Sequence, residues 1–426
     1  MKKAILAGLI LVMGSTAWAK DLPSVRPERE GFSSERLDRI TEITQAYVDE
    51  GKLAGVITMV SRRGKIVHFE AVGKRGANDD TPLQKDDLFR IYSMTKPITA
   101  VAAMQLYEQG KFHLSDPVSK YVPELKGLSV LNADGEQVPA QREMTMQQLL
   151  THTTGLSYGF NPKGDPVDQL YVDADLWNSA DLDEFAQKVA KLPLKFEPGA
   201  QWHYSIAVDI TGLVVERISG QSFDEYLQEN IFEPLGMDDT FFAVPDDKVD
   251  RFLPNHFINP ETKALTQIPE EQGTAMRDYR NVTLFSGGGG LVSTTMDYMK
   301  FAEAMRNDGS YNGARILGPK TVKYMATNHL DASIVSGGSG EQPTLGGQLR
   351  GFGFGLGFGL VTDTAAGGVM GSVGEFNWGG AAGTVFWIDP VEELVVVGMI
   401  QLMGSPYPFR SDLKVATYQA LTESLE

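Results

Sequence analysis

Two apolar hairpin patterns lie at opposite ends of this chain, and they constrain its fold more than any other feature. Near the start, Gly55-Val56-Ile57-Thr58-Met59-Val60 runs into a turn at Arg62-Arg63-Gly64-Lys65 and returns as Ile66-Val67-His68-Phe69. Near the end, Gly383 to Ile388 leads through a turn at Asp389-Pro390 into Leu394-Val395-Val396-Val397-Gly398-Met399-Ile400. Runs rich in β-branched and aromatic residues, bounded by turn residues, read as strands. Helices bracket both pairs. Ser33-Ser34-Glu35-Arg36 caps a helical pattern through Leu37, Ile40, Ile43 and Tyr47, and a last helix is expected from about Ser411 to the end. This arrangement implies one antiparallel sheet built from both chain ends, with helices on its faces. The stretch between, from roughly residue 94 to 290, reads as helical and loop-rich. The expected class is therefore α/β (α+β), with one lobe from about 20–92 and 291–426. A large helical insertion lobe would span about 93–290, and the site would sit at the lobe interface.

Composition narrows the function. Of 426 residues 42% are hydrophobic, enough for a large core without cross-links. The first residues read as a secretory leader rather than fold: basic Lys2 and Lys3, apolar Ala4 to Met13, then a small-residue cleavage site at Ala17-Trp18-Ala19. Export to the periplasm or medium as a chain starting near Lys20 is the expectation. With zero cysteines there is no lipid attachment point, disulfide, thiol nucleophile or thiolate metal site. The net charge of −17 disfavours nucleic acid and anionic membrane surfaces as partners. Six scattered histidines show no paired spacing for a metal. No cofactor is called for.

Against that background, Ser93-Met94-Thr95-Lys96 stands out because it opens an apolar helical run (Ile98, Ala100, Val101, Ala103, Met104, Leu106). Residues three apart share a helix face, so Lys96 can reach the Ser93 oxygen. A serine hydroxyl needs such a neighbour to act as a nucleophile. A proton acceptor and an oxyanion hole are also required. Tyr204, delivered by the loop Glu197 to His203 at the start of a helical run (Ile210, Leu213, Val214, Ile218), is the candidate acceptor. A tyrosine serves as a base only where cations stabilise its phenolate, and Lys96 would be one. Trp378-Gly379-Gly380-Ala381, read as preceding a strand with small residues at a sheet edge, can present a backbone N–H to an oxyanion. The Ser93 N–H, at a helix start, supplies the second donor.

Taken in order, Ser93-Met94-Thr95-Lys96-Pro97, Leu149-Leu150-Thr151-His152-Thr153-Thr154-Gly155-Leu156, Tyr204-Ser205 and Trp378-Gly379-Gly380 resemble the motifs of serine β-lactamase-like hydrolases. More narrowly, the chain resembles family VIII carboxylesterases, relatives of the class C β-lactamases, over nearly its whole mature length. The resemblance implies the β-lactamase/transpeptidase-like fold. It implies Ser93 as nucleophile, Lys96 and Tyr204 as acid–base partners, and the N–H groups of Ser93 and Ala381 as oxyanion hole. Two departures bear on substrate. Trp378-Gly379-Gly380 stands where the lactamase and peptidase pattern has Lys-Thr-Gly, and Tyr204-Ser205-Ile206 where it has Tyr-x-Asn. Apolar Trp378 and Ile206, with Gly379 and Gly380, give no charged anchor, which favours a neutral acyl group and hence a small-molecule ester. A β-lactamase or D-alanyl peptidase, or a non-catalytic binding protein of the same fold, remain the alternatives.

One rival nucleophile has to be weighed. Gly155-Leu156-Ser157-Tyr158-Gly159 matches the Gly-x-Ser-x-Gly elbow, which requires a strand before the serine and a helix after it. Here a helical pattern (Met146, Leu149, Leu150) precedes, and Asn161-Pro162-Lys163-Gly164-Asp165-Pro166 follows and reads as non-helical. His203, His256 and His329 occur downstream without a telling context, and His152 and His203 read as structural. Asp209, Asp297 and Asp389 read as caps or turn residues. Segments 161–182 and 332–349 are expected as loops that shape the pocket. Ser286 to Gly290 lacks the ending of a phosphate loop, and Gly351 to Leu360 alternates like one strand with a bare face suited to close packing.

Overall fold

The computed structural model describes residues 21–269, 279–331, 334 and 350–426. The leader read at 1–19, and the loop expected at 332–349 apart from residue 334, lie outside those residues. Its centre is an eight-stranded sheet. The strands are β1 (Gly55–Arg62), β2 (Lys65–Gly76), β3 (Asp79–Pro82), β4 (Phe352–Phe354), β5 (Gly359–Val361), β6 (Phe376–Gly379), β7 (Val385–Asp389) and β8 (Leu394–Met399). Their order across the sheet is β4-β5-β6-β7-β8-β1-β2-β3, every neighbour antiparallel. The chain ends meet at the β1–β8 seam, in register from Ile57↔Met399 to Arg62↔Leu394. The β1–β2 turn falls where the sequence places it. Its two loop residues, Arg63 (φ 53°) and Gly64 (φ 72°), both take the left-handed conformation that suits a tight hairpin.

The principal helices are α1 (Ser34–Asp49), α2 (Thr95–Glu108), α3 (Met146–Leu150), α4 (Pro166–Asp173), α5 (Leu182–Val189), α6 (Ala207–Ser219), α7 (Thr295–Arg306) and α8 (Phe409–Tyr418). Strand alternation divides the core in two. Val56, Val60, Val385, Trp387 and Val396 meet Leu37, Ile40 and Tyr47 of α1 and Phe409 and Leu413 of α8. On the other face Ile57, Met59, Phe386, Ile388, Val395 and Val397 join the larger core that includes α2, α6 and α7. Helix α2 is buried from Thr95 to Leu106, and its alanines allow neighbours to approach closely. Among the described residues no helix is long and apolar enough to cross a membrane.

Four expectations are corrected. The last helix ends at Tyr418. The tail then pairs back on the N-terminal segment, Ser33 N–H to Ala420 O (2.9 Å) and Thr422 N–H to Gly31 O (2.8 Å), so its backbone groups are satisfied outside a helix. Gly351 to Leu360 is not one strand but the hairpin β4–β5, turned at Gly357 (φ 87°). That hairpin covers β6, which is therefore interior to the sheet; yet β5 pairs only with Phe376 and Asn377, leaving Trp378 and Gly379 open on that side. Finally, 161–182 is not all loop. Asp165 accepts the N–H groups of Val167 (2.8 Å) and Asp168 (3.2 Å), and Pro166 opens α4 at the first helical position, where its missing N–H costs nothing.

Arg62 fastens these ends together. Fully buried, it pairs with Glu392 at 2.6 Å and donates to the carbonyls of Glu30 (2.9 Å), Glu392 (2.9 Å) and Glu423 (3.3 Å). Removing one partner of a buried pair leaves the other charge unpaired, which typically costs about 3–5 kcal/mol. Arg62→Ala should lower the unfolding free energy by about that amount in urea titration; a loss under about 1 kcal/mol would show that the clasp contributes little.

Candidate active site

Where the chain leaves the sheet and where it returns, it pairs with itself: Phe89↔Ser293 and Arg90↔Val292 are antiparallel partners. Directly above that junction, Tyr92 sits at φ 45°, a conformation that costs energy for a bulky residue and points to a position held by its surroundings. Asn255 Nδ2 donates to its hydroxyl at 2.7 Å. A single 3-10 turn, Tyr92–Met94, then runs straight into α2. Ser93 is the one partly exposed residue of that turn, and Lys96, one turn on, is 1% exposed.

The structure brings Ser93, Lys96 and Tyr204 together. Lys96 Nζ lies 3.2 Å from Ser93 Oγ, and the Tyr204 hydroxyl donates to the same oxygen at 2.6 Å. Lys96 Nζ also lies 4.5 Å from the centroid of the Tyr204 ring and 5.1 Å from that of Tyr158. Its remaining bond is to Gly288 O at 2.6 Å. Among the described residues, neither the Ser93 N–H nor the Ala381 N–H finds an acceptor within the fold. An oxyanion hole is built from donors of this kind, unspent within the fold. Gly380 is needed for that approach, since a β-carbon there would lie 2.5 Å from Ile91 O, immediately before Tyr92.

Aromatic rings wall the site. Tyr204 packs against His152 (4.8 Å between centroids), Tyr158 (5.3 Å) and Trp378 (5.5 Å), and Trp378 against Phe354 (5.2 Å). Phe160 stacks on Tyr158 at 5.0 Å and is 71% exposed, at the rim. Ile206 does not join this wall. It is fully buried at the start of α6, facing the core, and has no surface to offer a substrate.

The sequence reading missed Asp209. It looked like a helix-end residue, yet it is 1% exposed and anchors the glycine run. Its carboxylate accepts from Ser286 Oγ, from Gly288 N–H (3.0 Å) and from the Tyr158 hydroxyl (3.3 Å). Gly288 in turn offers its carbonyl to Lys96, so Asp209 holds the loop that holds the amine. The glycines are there for closeness: a β-carbon on Gly287 would lie 2.6 Å from Val208 O. An aspartate five residues after Tyr204, within an apolar helical run, was the available signal.

The Ser157 elbow has its own cluster. Ser157 is fully buried; its hydroxyl donates to Asp168 Oδ1 (2.5 Å), accepts from Gly159 N–H (3.0 Å) and lies 3.4 Å from His203 Nε2. Serine, histidine and aspartate thus do meet, which the sequence did not foretell. However, carboxylate and imidazole both address the hydroxyl itself, whereas a catalytic triad places the imidazole between them. With Lys195 pairing to Asp168 (2.9 Å) and Asp165 (2.8 Å), the cluster clamps the loop that carries Tyr158 and Phe160. Asp389 serves as read, in the β7–β8 turn, whereas Asp297 is not a cap: Thr294 caps α7, and the buried Asp297 carboxylate accepts from Asp239 N–H (2.7 Å) and the Thr240 hydroxyl (3.1 Å). Among the described residues no group of three acidic or histidine side chains could hold a metal.

Burial holds the imidazoles neutral. It depresses His203 to about 4, with Lys195 adding to the effect. Burial, then the charge of Lys96, holds His152 well below its ordinary value. Because His203 takes up its proton on unfolding and not in the fold, its stabilisation is full above about pH 6.5 and is lost as pH falls towards 4. Relative to His203→Gln, the native protein should therefore lose about 1 kcal/mol per pH unit across that window in urea titrations. A gap independent of pH would contradict the buried neutral ring.

The chain resembles known proteins over most of its length. The beta-lactamase family profile matches residues 40–420. The chain is 34% identical to Protein Rv1367c of Mycobacterium tuberculosis (strain ATCC 25618 / H37Rv), over 83% of its own length and 87% of that protein's. It is 30% identical to Esterase EstB of Burkholderia gladioli, over 82% and 86% respectively. Among solved structures, that of EstCE1, a hydrolase with promiscuous acyltransferase activity, superposes with a TM-score of 0.76 at 25% identity, covering 90% of this chain and 99% of that one.

Proposed function

This chain belongs to the beta-lactamase family and is a serine hydrolase; on that premise we propose that it is a carboxylesterase, cleaving small or medium apolar acyl esters through an acyl-enzyme on Ser93. The observation that carries the reading is the three-way contact of Ser93 Oγ with Lys96 Nζ and the Tyr204 hydroxyl. Lys96 and Tyr204 together accept the Ser93 proton. The freed oxygen attacks the ester carbonyl, whose oxyanion sits between the Ser93 and Ala381 N–H groups. The pair returns the proton to the departing alcohol, and water activated by Tyr204 then releases the acid. Support for an apolar ester comes from the rings of Trp378, Tyr158 and Phe160, backed by Phe354, which stand where a carboxylate-binding site would need a cation. That EstB is an esterase and EstCE1 a hydrolase with acyltransferase activity supports the same choice. Export is part of the proposal and rests on the leader pattern of residues 1–19.

Turnover of p-nitrophenyl butyrate, nitrocefin and a D-alanyl-D-alanine peptide by the purified protein tests the substrate class. The ester should be hydrolysed far faster than the other two; preference for nitrocefin or the peptide would replace the proposal with a lactamase or peptidase. Ser93→Ala should abolish turnover and covalent labelling by a fluorophosphonate, while Ser157→Ala stays labelled. Lys96→Ala and Tyr204→Phe should each lower turnover by about two decades, the usual scale for a proton-transfer partner.

A further inference from the structure

Arg410 opens α8, the C-terminal helix, on the far side of β6 from Trp378, and the mechanism above makes no use of it. Phe409 and Leu413, buried beneath β8, fix that first turn, so the arginine reaches across the end of β6. Its Nη2 donates to Gly380 O at 3.1 Å and to Thr384 O at 3.2 Å, on either side of the β6–β7 connection. A β-carbon on Gly379 would land on the guanidinium, so the first glycine of Trp378-Gly379-Gly380 leaves the space that Arg410 fills. Arg410 therefore does not take the place of the missing lysine as an anchor in the cleft. It grips the backbone.

The gripped atom matters. Gly380 C=O and Ala381 N–H belong to one peptide, and no peptide bond in the described chain is cis. In a trans peptide the carbonyl and the N–H point in opposite directions. Gly380 O receives both Arg410 and the Gly383 N–H (3.0 Å), so the Ala381 N–H of the same peptide points away from these two donors and finds no acceptor among the described residues. A charge-assisted bond to a carbonyl also polarises its peptide and strengthens the N–H as a donor. Burial works against the charge on Arg410, and the neighbouring Tyr204 works in its favour.

We propose that Arg410 is a positioning residue of the oxyanion hole, aiming and polarising the Ala381 N–H through the Gly380 carbonyl. This rests on Ser93 being the nucleophile. Its effect belongs to the transition state, because the N–H meets full negative charge only there, so loss of Arg410 lowers kcat and spares KM.

The test compares the native protein with Arg410→Gln and Arg410→Lys. Active sites are first titrated with a p-nitrophenyl phosphonate, whose phosphorus bonds to Ser93 Oγ as p-nitrophenolate leaves and the serine proton passes to the Lys96–Tyr204 pair. Arg410→Gln should lower kcat for p-nitrophenyl butyrate per titrated site by about 30- to 100-fold, towards the scale for losing one oxyanion donor. KM should change less than threefold, and the phosphonylation rate should fall in parallel with kcat. Arg410→Lys, keeping the charge but not the fork, should fall between. A kcat per site equal to native, or a loss confined to KM, overturns the proposal. If Arg410→Gln does not fold, the Lys variant decides: a kcat lowered fivefold or more at constant KM supports the role, and an unchanged kcat overturns it. If the native protein turns over no ester, the substrate reading fails, while the phosphonylation rates still decide the role of Arg410. Labelling that persists in Ser93→Ala removes the nucleophile on which the inference depends.

Discussion

An amine shut off from water has to be surrounded by groups that satisfy it, and the region around Lys96 is organised by that requirement. Lys96 is 1% exposed and is enclosed by a serine hydroxyl, a glycine carbonyl and two aromatic faces. Each comes from a different part of the chain. The serine precedes it by one turn, the carbonyl belongs to the loop entering β-structure at Val292, and the rings belong to the loops before α4 and α6. Satisfying one buried group therefore fixes four segments relative to each other. Asp209 is the second member of the same arrangement, since its carboxylate, together with the Thr99 hydroxyl on the Gly287 carbonyl, holds the loop that supplies the carbonyl.

The sheet performs the complementary task. Its β1–β8 seam joins the two chain ends, and the buried Arg62–Glu392 pair fastens them. Along β6 the pairing with β5 stops at Asn377, so Trp378 and Gly379 are open on that side, and the connection beyond them leaves the Ala381 N–H without an acceptor among the described residues. A strand held on both sides for half its length and on one side for the rest is rigid and still presents an unused N–H. Rigidity matters because a donor aimed in advance has no reorganisation to undergo when charge develops.

Some of this was legible from residues alone, for a physical reason. The hairpins, α1, the opening of α2 and the Ser93–Lys96 relation are local: period-two and period-3.6 patterns, turn residues, and a three-residue spacing on one helix face. Pocket-wall readings fared unevenly. Trp378 lies against Tyr204, whereas Ile206 faces the core, because at the start of a helix a single residue's rotation decides which side it shows. The pattern also failed where a residue plays a role outside its immediate surroundings. Pro166 looked like a breaker and is a helix opener once Asp165 caps it, and Gly351 to Leu360 looked like one strand because a tight turn at Gly357 leaves the alternation unbroken.

What the sequence by itself determined is the chemistry at hand: a serine and lysine one helical turn apart, a tyrosine and a tryptophan–glycine–glycine run in a familiar order, and two hairpins that can only join across the length of the chain. What tertiary structure decided is which groups meet. Ser157, His203 and Asp168 come together in an order that clamps a loop, while Asp209 and Arg410 reach the site through other residues' backbone. Contacts of that kind leave no periodic trace, because a hydrogen bond to a carbonyl constrains position and charge in space and places no condition on the spacing of residues along the chain.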